Sequence, residues 1–430
     1  MEYPRILIIS HTSFTKADSM GSTLASYFET YDPNCIAQFY IKKMMPDIPI
    51  CKKYFCVTDN ELLYKLLHPI KGEIGKIIDI ENDSISGKAA EASSIGSHKH
   101  RDITMLARKI LWSTKLWNNR RFKEWLYSFS PQVILVQPGD FSYLLDIGVG
   151  ISKKLQIPIV VHQSESYYLK EYEKKTLLYK LFRYDFKKSY EKLMKYTSYC
   201  IYLCDALEKD YSQFFSIPSA TIMKATSIKP ELNKKEFNKN DLRFIYGGNL
   251  GETVGRCEPL LELGIVIKKL GFQIDVYTSS TGEHMNMLNP DNGIKLHGSL
   301  SYEELQKQIK NSDFVIHVES QKSWNIRDLK YAFSTKIADM LASGVCSIVY
   351  GSNEIASVMY FKNYKLGCVI ERKEDIEPLI TELINCQSKQ KDYINRALDQ
   401  AIKEHNPNIN SERMRKIIVK ACEKGFYKNW

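Results

Sequence analysis

Two stretches of this chain repeat one order of elements, and that order leaves few folds open. Residues 5–10 form an apolar run that reads as a strand buried on both faces. A polar loop over 11–20 follows, and a helical pattern begins at Gly21. Residues 242–246 are again a strand run, followed at once by Gly247, Gly248, Asn249, Leu250 and Gly251, then by a helical pattern over 257–270. Strand, glycine-bearing turn and helix form the opening unit of a doubly wound parallel sheet. Two copies predict two such sheets in an α/β protein.

The spacing of the remaining runs agrees. Strands are predicted at 36–41, 54–57, 132–136, 157–161 and 199–203, then at 272–277, 293–296, 314–318 and 346–350, with helical stretches between many of them. The polar segment 227–241 interrupts the pattern, so the expected division is a first domain over 1–226, a linker over 227–241 and a second domain over 242–405. The tail is amphipathic and broken at His405, Asn406 and Pro407; the helix after the break, 406–430, is expected to cross back onto the first domain. Residues 81–100, rich in Ser, Gly and Ala, read as a flexible loop.

No apolar run reaches the length of a membrane span. The first residues carry Glu2 and pass directly into a strand, so they are expected to belong to the fold rather than to a secretory leader. The ten cysteines are scattered without paired spacing and are expected to be buried thiols.

The formal net charge is +10, and two stretches carry it: 101–127 holds seven Lys/Arg against two Asp/Glu, and 170–195 nine against four. The first stretch also holds Trp112, Trp117 and Trp125. On a helical projection Ile103, Leu106, Ile110 and Trp117 form one face, expected to meet the core. Met105, Trp112 and Leu116 form another among Arg108, Lys109 and Lys115. Apolar residues ringed by cations suit an anionic membrane surface, with Lys109, Trp112 and Lys115 in contact. A helix buried on two sides, with lysines reaching past its rim, accounts for the same pattern. The second stretch reads as a solvated amphipathic helix. Neither carries a nucleic-acid-binding signature, and no nucleic-acid partner is expected.

Polar residues at strand carboxyl ends are where open α/β sheets bind ligands. His162 and Glu165 after one strand, and Asp140 after another, are candidates to face a substrate; a satisfied loop histidine reads equally from His162 alone. Gly21 would let the backbone approach a ligand, although a plain helix start uses the same residue. In the second half Gly248, Asn249 and Gly251 permit close backbone approach, with Arg256 placed to add charge. Near the end of that half, 333–344 reads as a helix started by Ser334 or Thr335 and ended by Gly344, with Lys336 and Asp339 on one side. Its amino end suits an anion and its carboxylate a sugar diol.

The glycine turn at 247–251 together with Ser334, Thr335, Lys336, Ile337, Ala338, Asp339, Met340, Leu341, Ala342, Ser343 and Gly344 resembles the GT-B glycosyltransferases. The resemblance is to the family-four type of bacterial capsule, exopolysaccharide and O-antigen assembly. It spans nearly the whole chain and is sharpest over 243–351.

It implies two Rossmann-like domains facing a cleft and a retaining transfer from a nucleoside-diphosphate-sugar, UDP or GDP type, to a glycan or polyprenyl-linked acceptor. No metal or other cofactor is implied. Gly248, Asn249, Gly251 and Arg256 would meet the donor phosphates or sugar. Ser334, Thr335 and Lys336 would meet the diphosphate, Asp339 the ribose, and the loop at His297 and Gly298 the base. Gly21 and Asp140 would lie on the acceptor side, and the enzyme would be cytoplasmic and peripheral on the inner membrane face. The family commonly has two acids eight apart; here Asp339 takes the second position and Tyr331 stands at the first, with Glu319 as a nearby substitute. Alternatives of the same fold are a nucleotide-sugar epimerase or hydrolase, and a non-catalytic partner subunit.

Overall fold

The computed structural model describes residues 3–70, 72–78, 101–169, 176–233 and 235–426. The loop expected over 81–100 and part of the second basic stretch lie outside them. The chain divides into two compact units, Met1–Lys224 with Pro407–Trp430, and Ala225–Asn406.

In the first unit the elements run β1 (Ile6–Ser10), α1 (Ser19–Ala25), β2 (Ile36–Tyr40), β3 (Lys53–Cys56), α2 (Asp59–Leu67) and β4 (Lys76–Ile78). Then come α3 (Arg101–Ser113), α4 (Arg120–Phe129), β5 (Val133–Val136), α5 (Ser142–Leu155) and β6 (Ile159–Gln163). They are followed by α6 (Leu177–Lys195), β7 (Thr197–Tyr202), α7 (Asp205–Ser212) and β8 (Ser219–Thr221).

The second unit runs β9 (Phe244–Gly247), α8 (Cys257–Lys269), β10 (Ile274–Tyr277), β11 (Ile294–His297), α9 (Tyr302–Lys310) and β12 (Phe314–Val318). Next are α10 (Ser323–Leu329), α11 (Ile337–Ala342), β13 (Cys346–Tyr350), α12 (Ala356–Tyr364), β14 (Cys368–Ile370), α13 (Ile376–Asn385) and α14 (Gln387–Glu404). The last helix, α15 (Pro407–Lys424), returns to the first unit.

The first sheet has eight strands in the order β4-β3-β2-β1-β5-β6-β7-β8, and every pairing is parallel except β3 with β4. The second has six parallel strands in the order β11-β10-β9-β12-β13-β14. Each order reverses once, between β1 and β5 and between β9 and β12. Such a reversal opens a crevice at the strand carboxyl ends. Strands β4, β8 and β14 lie outside the predicted set, and each is a three-residue strand, too short for a periodic signal.

The first core gathers Ile6 and Ile8 of β1, Val133 and Leu135 of β5 and Val160 of β6 with Leu24 of α1. Met414, Ile417, Ile418 and Ala421 of α15 belong to the same cluster. Thr30 donates through Oγ1 to Ser411 Oγ at 2.8 Å, and Asn410 donates through Nδ2 to Met223 O at 2.9 Å. The final helix therefore completes the core of the first unit. Replacing the fully buried Met414 by Ala is expected to destabilise that unit by about 2–5 kcal/mol. Trp112, Trp117 and Trp125 all lie in it, so urea unfolding followed by tryptophan fluorescence reads the effect. An unshifted midpoint would remove α15 from the core.

Candidate functional site

The second unit builds its site at the reversal between β9 and β12. Strand β9 ends at Gly247, and Glu319 follows β12 directly. Residues two apart on a strand face the same way, so His317 and Glu319 project together. Arg256, just before α8, reaches Glu319 with two hydrogen bonds, Nε to Oε2 at 3.1 Å and Nη2 to Oε1 at 2.9 Å. Ser357 Oγ lies 3.3 Å from Oε1, and His317 Nε2 stands 3.1 Å from the same oxygen. Burial pushes the Glu319 carboxyl upward; His317 and Arg256 outweigh it and hold it at about 2. Burial lowers His317 to about 4. At neutral pH the imidazole is therefore uncharged, and Arg256 supplies the compensating cation.

Lys336 completes the cluster. Its Nζ donates to Gly247 O at 3.1 Å and lies 4.1 Å from the centre of the Tyr246 ring. A β-carbon at Gly248, where φ is +157°, would stand 3.0 Å from this Nζ, so the turn and the ammonium are in close apposition. Burial, then the nearby Arg256 charge, lowers Lys336 to about 7. Two cationic side chains and a glycine turn thus share one end of the sheet. An arriving anion would be met by a lysine that gains charge and a guanidinium already oriented.

The other expected donor residues take varied positions. Asn249 Oδ1 accepts from Gly251 N at 2.7 Å and Ser280 Oγ at 3.0 Å, so it braces the turn from within. His297 bonds Asp275 Oδ1 through Nε2 at 2.7 Å and stacks on Tyr277 with centroids 4.6 Å apart. That pair lies at the carboxyl ends of β10 and β11, and Gly298 follows in open space.

The expected helix over 333–344 is shorter than its pattern. It begins at Ile337 and has six residues, so Ser334, Thr335 and Lys336 lie in the turn before it. Asp339 Oδ1 accepts from Thr226 Oγ1 at 2.5 Å, which ties its carboxylate to the start of the unit. The stretch between Glu319 and Tyr331 holds the added helix α10. Lys330 donates to the Tyr331 hydroxyl at 3.2 Å. Glu319, expected as a substitute acid facing substrate, is fully buried. It anchors Arg256 instead, because an unpaired guanidinium at that depth would be far less stable. His317 escaped the sequence reading; its place two residues before Glu319 on one strand was the available signal.

In the first unit His162 lies fully buried at the carboxyl end of β6, tilted against Tyr27 at 5.0 Å. Burial lowers it to about 3, so it is a neutral imidazole, and neither ring nitrogen has a hydrogen-bond partner. Gln137, following β5, is buried with both amide atoms unpartnered. Asp140 is buried in the same loop, whereas Glu165 is exposed. A β-carbon at Gly21 would stand 2.3 Å from Ser13 O. The loop before α1 therefore requires glycine for its own backbone, which accounts for that residue without a ligand.

Of the three expected membrane contacts, Trp112 and Lys109 are engaged within the fold instead. Trp112 is 2 % exposed, donates through Nε1 to Asp59 Oδ1 at 2.7 Å and stacks on Tyr143 at 5.1 Å. Lys109 pairs with Asp146 and lies 3.6 Å from Asp185. Lys115 is exposed just beyond α3, at φ 57°. The acids that draw this face inward come from α2, α5 and α6, and a projection of one helix does not contain them.

Glu319→Gln removes the charge that holds Arg256. Breaking a buried pair of this kind is expected to cost the second unit about 3–5 kcal/mol at neutral pH. Because the folded-state value of Glu319 lies below its ordinary range, its stabilisation is present above that range and is lost as pH falls toward 2. The variant should show a correspondingly shallower acid unfolding curve by circular dichroism. Identical acid curves would remove this pair from the stability of the unit.

No protein-family model matches the sequence, and no curated protein matches it either. Solved structures do resemble it. Sucrose-phosphate synthase from Thermosynechococcus elongatus superposes with a TM-score of 0.64 at 10 % identity, covering 97 % of this chain and 99 % of that one. HepE of Anabaena, in a complex with UDP, gives 0.61 at 10 % identity over 96 % and 99 %. WaaG, a glycosyltransferase of lipopolysaccharide biosynthesis, gives 0.55 at 10 % identity over 96 % and 99 %. The fold of this chain is the GT-B fold of glycosyltransferases.

Proposed function

We propose that the chain is a glycosyltransferase that moves a sugar, with retention at the anomeric carbon, from a nucleoside-diphosphate-sugar to a glycan or polyprenyl-linked acceptor. The observation that carries this reading is the juxtaposition of Arg256, Lys336 and the Gly247–Gly248 turn at the reversal point of the second sheet. The difficult part of such a transfer is the charge that develops on the departing diphosphate. Two cations and backbone N–H groups aimed at that charge lower the barrier without a metal. The complexes of HepE with UDP and with UDP-glucose support a UDP-type donor. The stacked Tyr277–His297 pair suits the base, because an aromatic face offers a stacking surface. The basic charge supports a peripheral position on the inner membrane face, and with a lipid-linked acceptor the reading extends to assembly of a cell-surface polysaccharide.

A second reading, a partner subunit that binds nucleotide without catalysis, is favoured by one observation. Tyr331 stands where the family has an acid, and the remaining acid, Asp339, is engaged by Thr226. The two readings separate in an assay of labelled UDP-hexose with and without lipid-linked acceptor from bacterial membranes. Product that requires acceptor supports transfer. Full turnover without acceptor makes the chain a hydrolase, and binding without turnover makes it the subunit. If calorimetric titration detects neither UDP nor GDP binding, the donor site falls.

The lysine supplies a pH test. Its folded-state value, about 7, lies below the ordinary range, so the ammonium is lost from the unliganded protein as pH rises through neutrality. UDP affinity is expected to fall between about pH 7 and about pH 9, by at most about tenfold per unit. Lys336→Met should bind more weakly and show a flat profile. A pH-independent affinity in the unsubstituted protein would separate Lys336 from the phosphates.

A further inference from the structure

The first unit presents apolar side chains where a soluble surface ordinarily carries polar ones. On α3 the exposed stripe is Ile103, Ala107 and Ile110, with Ile110 71 % exposed, while Met105 and Trp112 turn inward. On α6 the stripe is Leu177, Leu181 and Tyr184, with Leu177 73 % and Tyr184 68 % exposed. Both follow the i, i+4, i+7 spacing of one helix face. The two helices pack on each other through Met105, Tyr179 and Phe182, so the stripes belong to neighbouring elements. Helix α2, which contacts α3, adds exposed Leu63, Leu66 and Leu67. Three adjoining helices that each turn leucine or isoleucine outward differ from the isolated exposed residues of an ordinary surface.

The charge beside these stripes is positive. Lys180 and Lys188 are exposed on α6, and Lys188 continues the line of Leu177, Leu181 and Tyr184. Lys187 borders it, with its ammonium over the Tyr168 ring, 5.5 Å from the centroid. Across Leu177–Lys195 there are six Lys/Arg against two Asp/Glu. Outward apolar side chains interspersed with lysine match an anionic lipid interface, where the chains enter the acyl boundary and the ammonium groups meet phosphate. Among the described residues no helix is long and apolar enough to cross a membrane.

We propose that the α2–α3–α6 face docks the protein onto an anionic bilayer, with the Leu177, Leu181 and Tyr184 stripe and Lys180 and Lys188 in contact with lipid. The inference rests on the reading of a peripheral enzyme and assigns its contact surface. It replaces the face centred on Trp112 with the opposite one.

The test uses the full chain and vesicles of phosphatidylcholine, with or without phosphatidylglycerol. The unsubstituted protein should sediment with the anionic vesicles, less at high salt, and remain in solution with phosphatidylcholine alone. The triple variant Leu177→Ser, Leu181→Ser, Tyr184→Ser should lose at least about tenfold in partitioning. Ile402→Ser, which removes an exposed apolar residue of the second unit, should not. All three altered side chains are exposed, so the variant should keep its near-ultraviolet circular dichroism and its UDP affinity. Absent sedimentation of the unsubstituted protein, or unchanged sedimentation of the triple variant, overturns the proposal. So does a sedimentation-velocity result in which the triple substitution dissociates a dimer without altering vesicle binding, since the face would then cover a second copy. Failure of UDP binding would instead overturn the donor reading and leave the vesicle result standing.

Discussion

The buried pair between Arg256 and Glu319 organises the second unit around its sheet reversal. A carboxylate with no exposure and a guanidinium beside it are stable there because each compensates the other and two hydrogen bonds fix their planes. The consequence reaches beyond the pair. Arg256 holds the start of α8 against the end of β12, and burial, reinforced by the Arg256 charge, lowers the lysine that overhangs the glycine turn. The cluster is therefore poised for an anion: one cation is permanently charged and oriented, and another gains its proton most readily when negative charge arrives.

The first unit meets its strand ends differently. Its reversal lies between β1 and β5, and two buried polar side chains near it carry no charge. His162 is an uncharged imidazole, and the Gln137 amide is buried without partners. Unpartnered buried polar groups cost free energy, roughly 2–7 kcal/mol for an amide or hydroxyl in apolar surroundings. Groups of this kind suit hydroxyls, whereas the second unit suits phosphate. Two sheets of similar topology thus carry different chemistry at corresponding ends, and the side chains at the reversal set the difference.

Much of the architecture was legible because parallel strands buried on both faces read as continuous apolar runs, as at Ile6–Ser10 and Phe314–Val318. The glycine turn, Arg256 and Lys336 were also legible, since residue type and position alone marked them. Four readings diverged, each for its own physical reason. The helix at Lys336 is shorter than its periodicity because that residue already occupies the turn, where its ammonium meets Gly247 O. Gly21 serves its own loop, a contact set by the path of the chain around Ser13. Glu319 faces inward because Arg256, sixty-three residues away, is there to receive it.

The sharpest divergence is α3, whose two apolar stripes are nearly balanced in composition. The stripe with Trp112 went inward because Asp59 accepts its indole N–H, Tyr143 stacks on it, and Asp146 pairs with Lys109. Those partners lie on α2 and α5, and no local pattern names them. The amino-acid sequence by itself determined the α/β class, the two glycine-turn units and the cationic residues Arg256 and Lys336 beside the second turn. These follow from local periodicity and side-chain chemistry. Only the tertiary structure decided which face of a two-striped helix is buried and which carboxylate serves an arginine rather than a substrate, because both depend on charges brought together from distant elements.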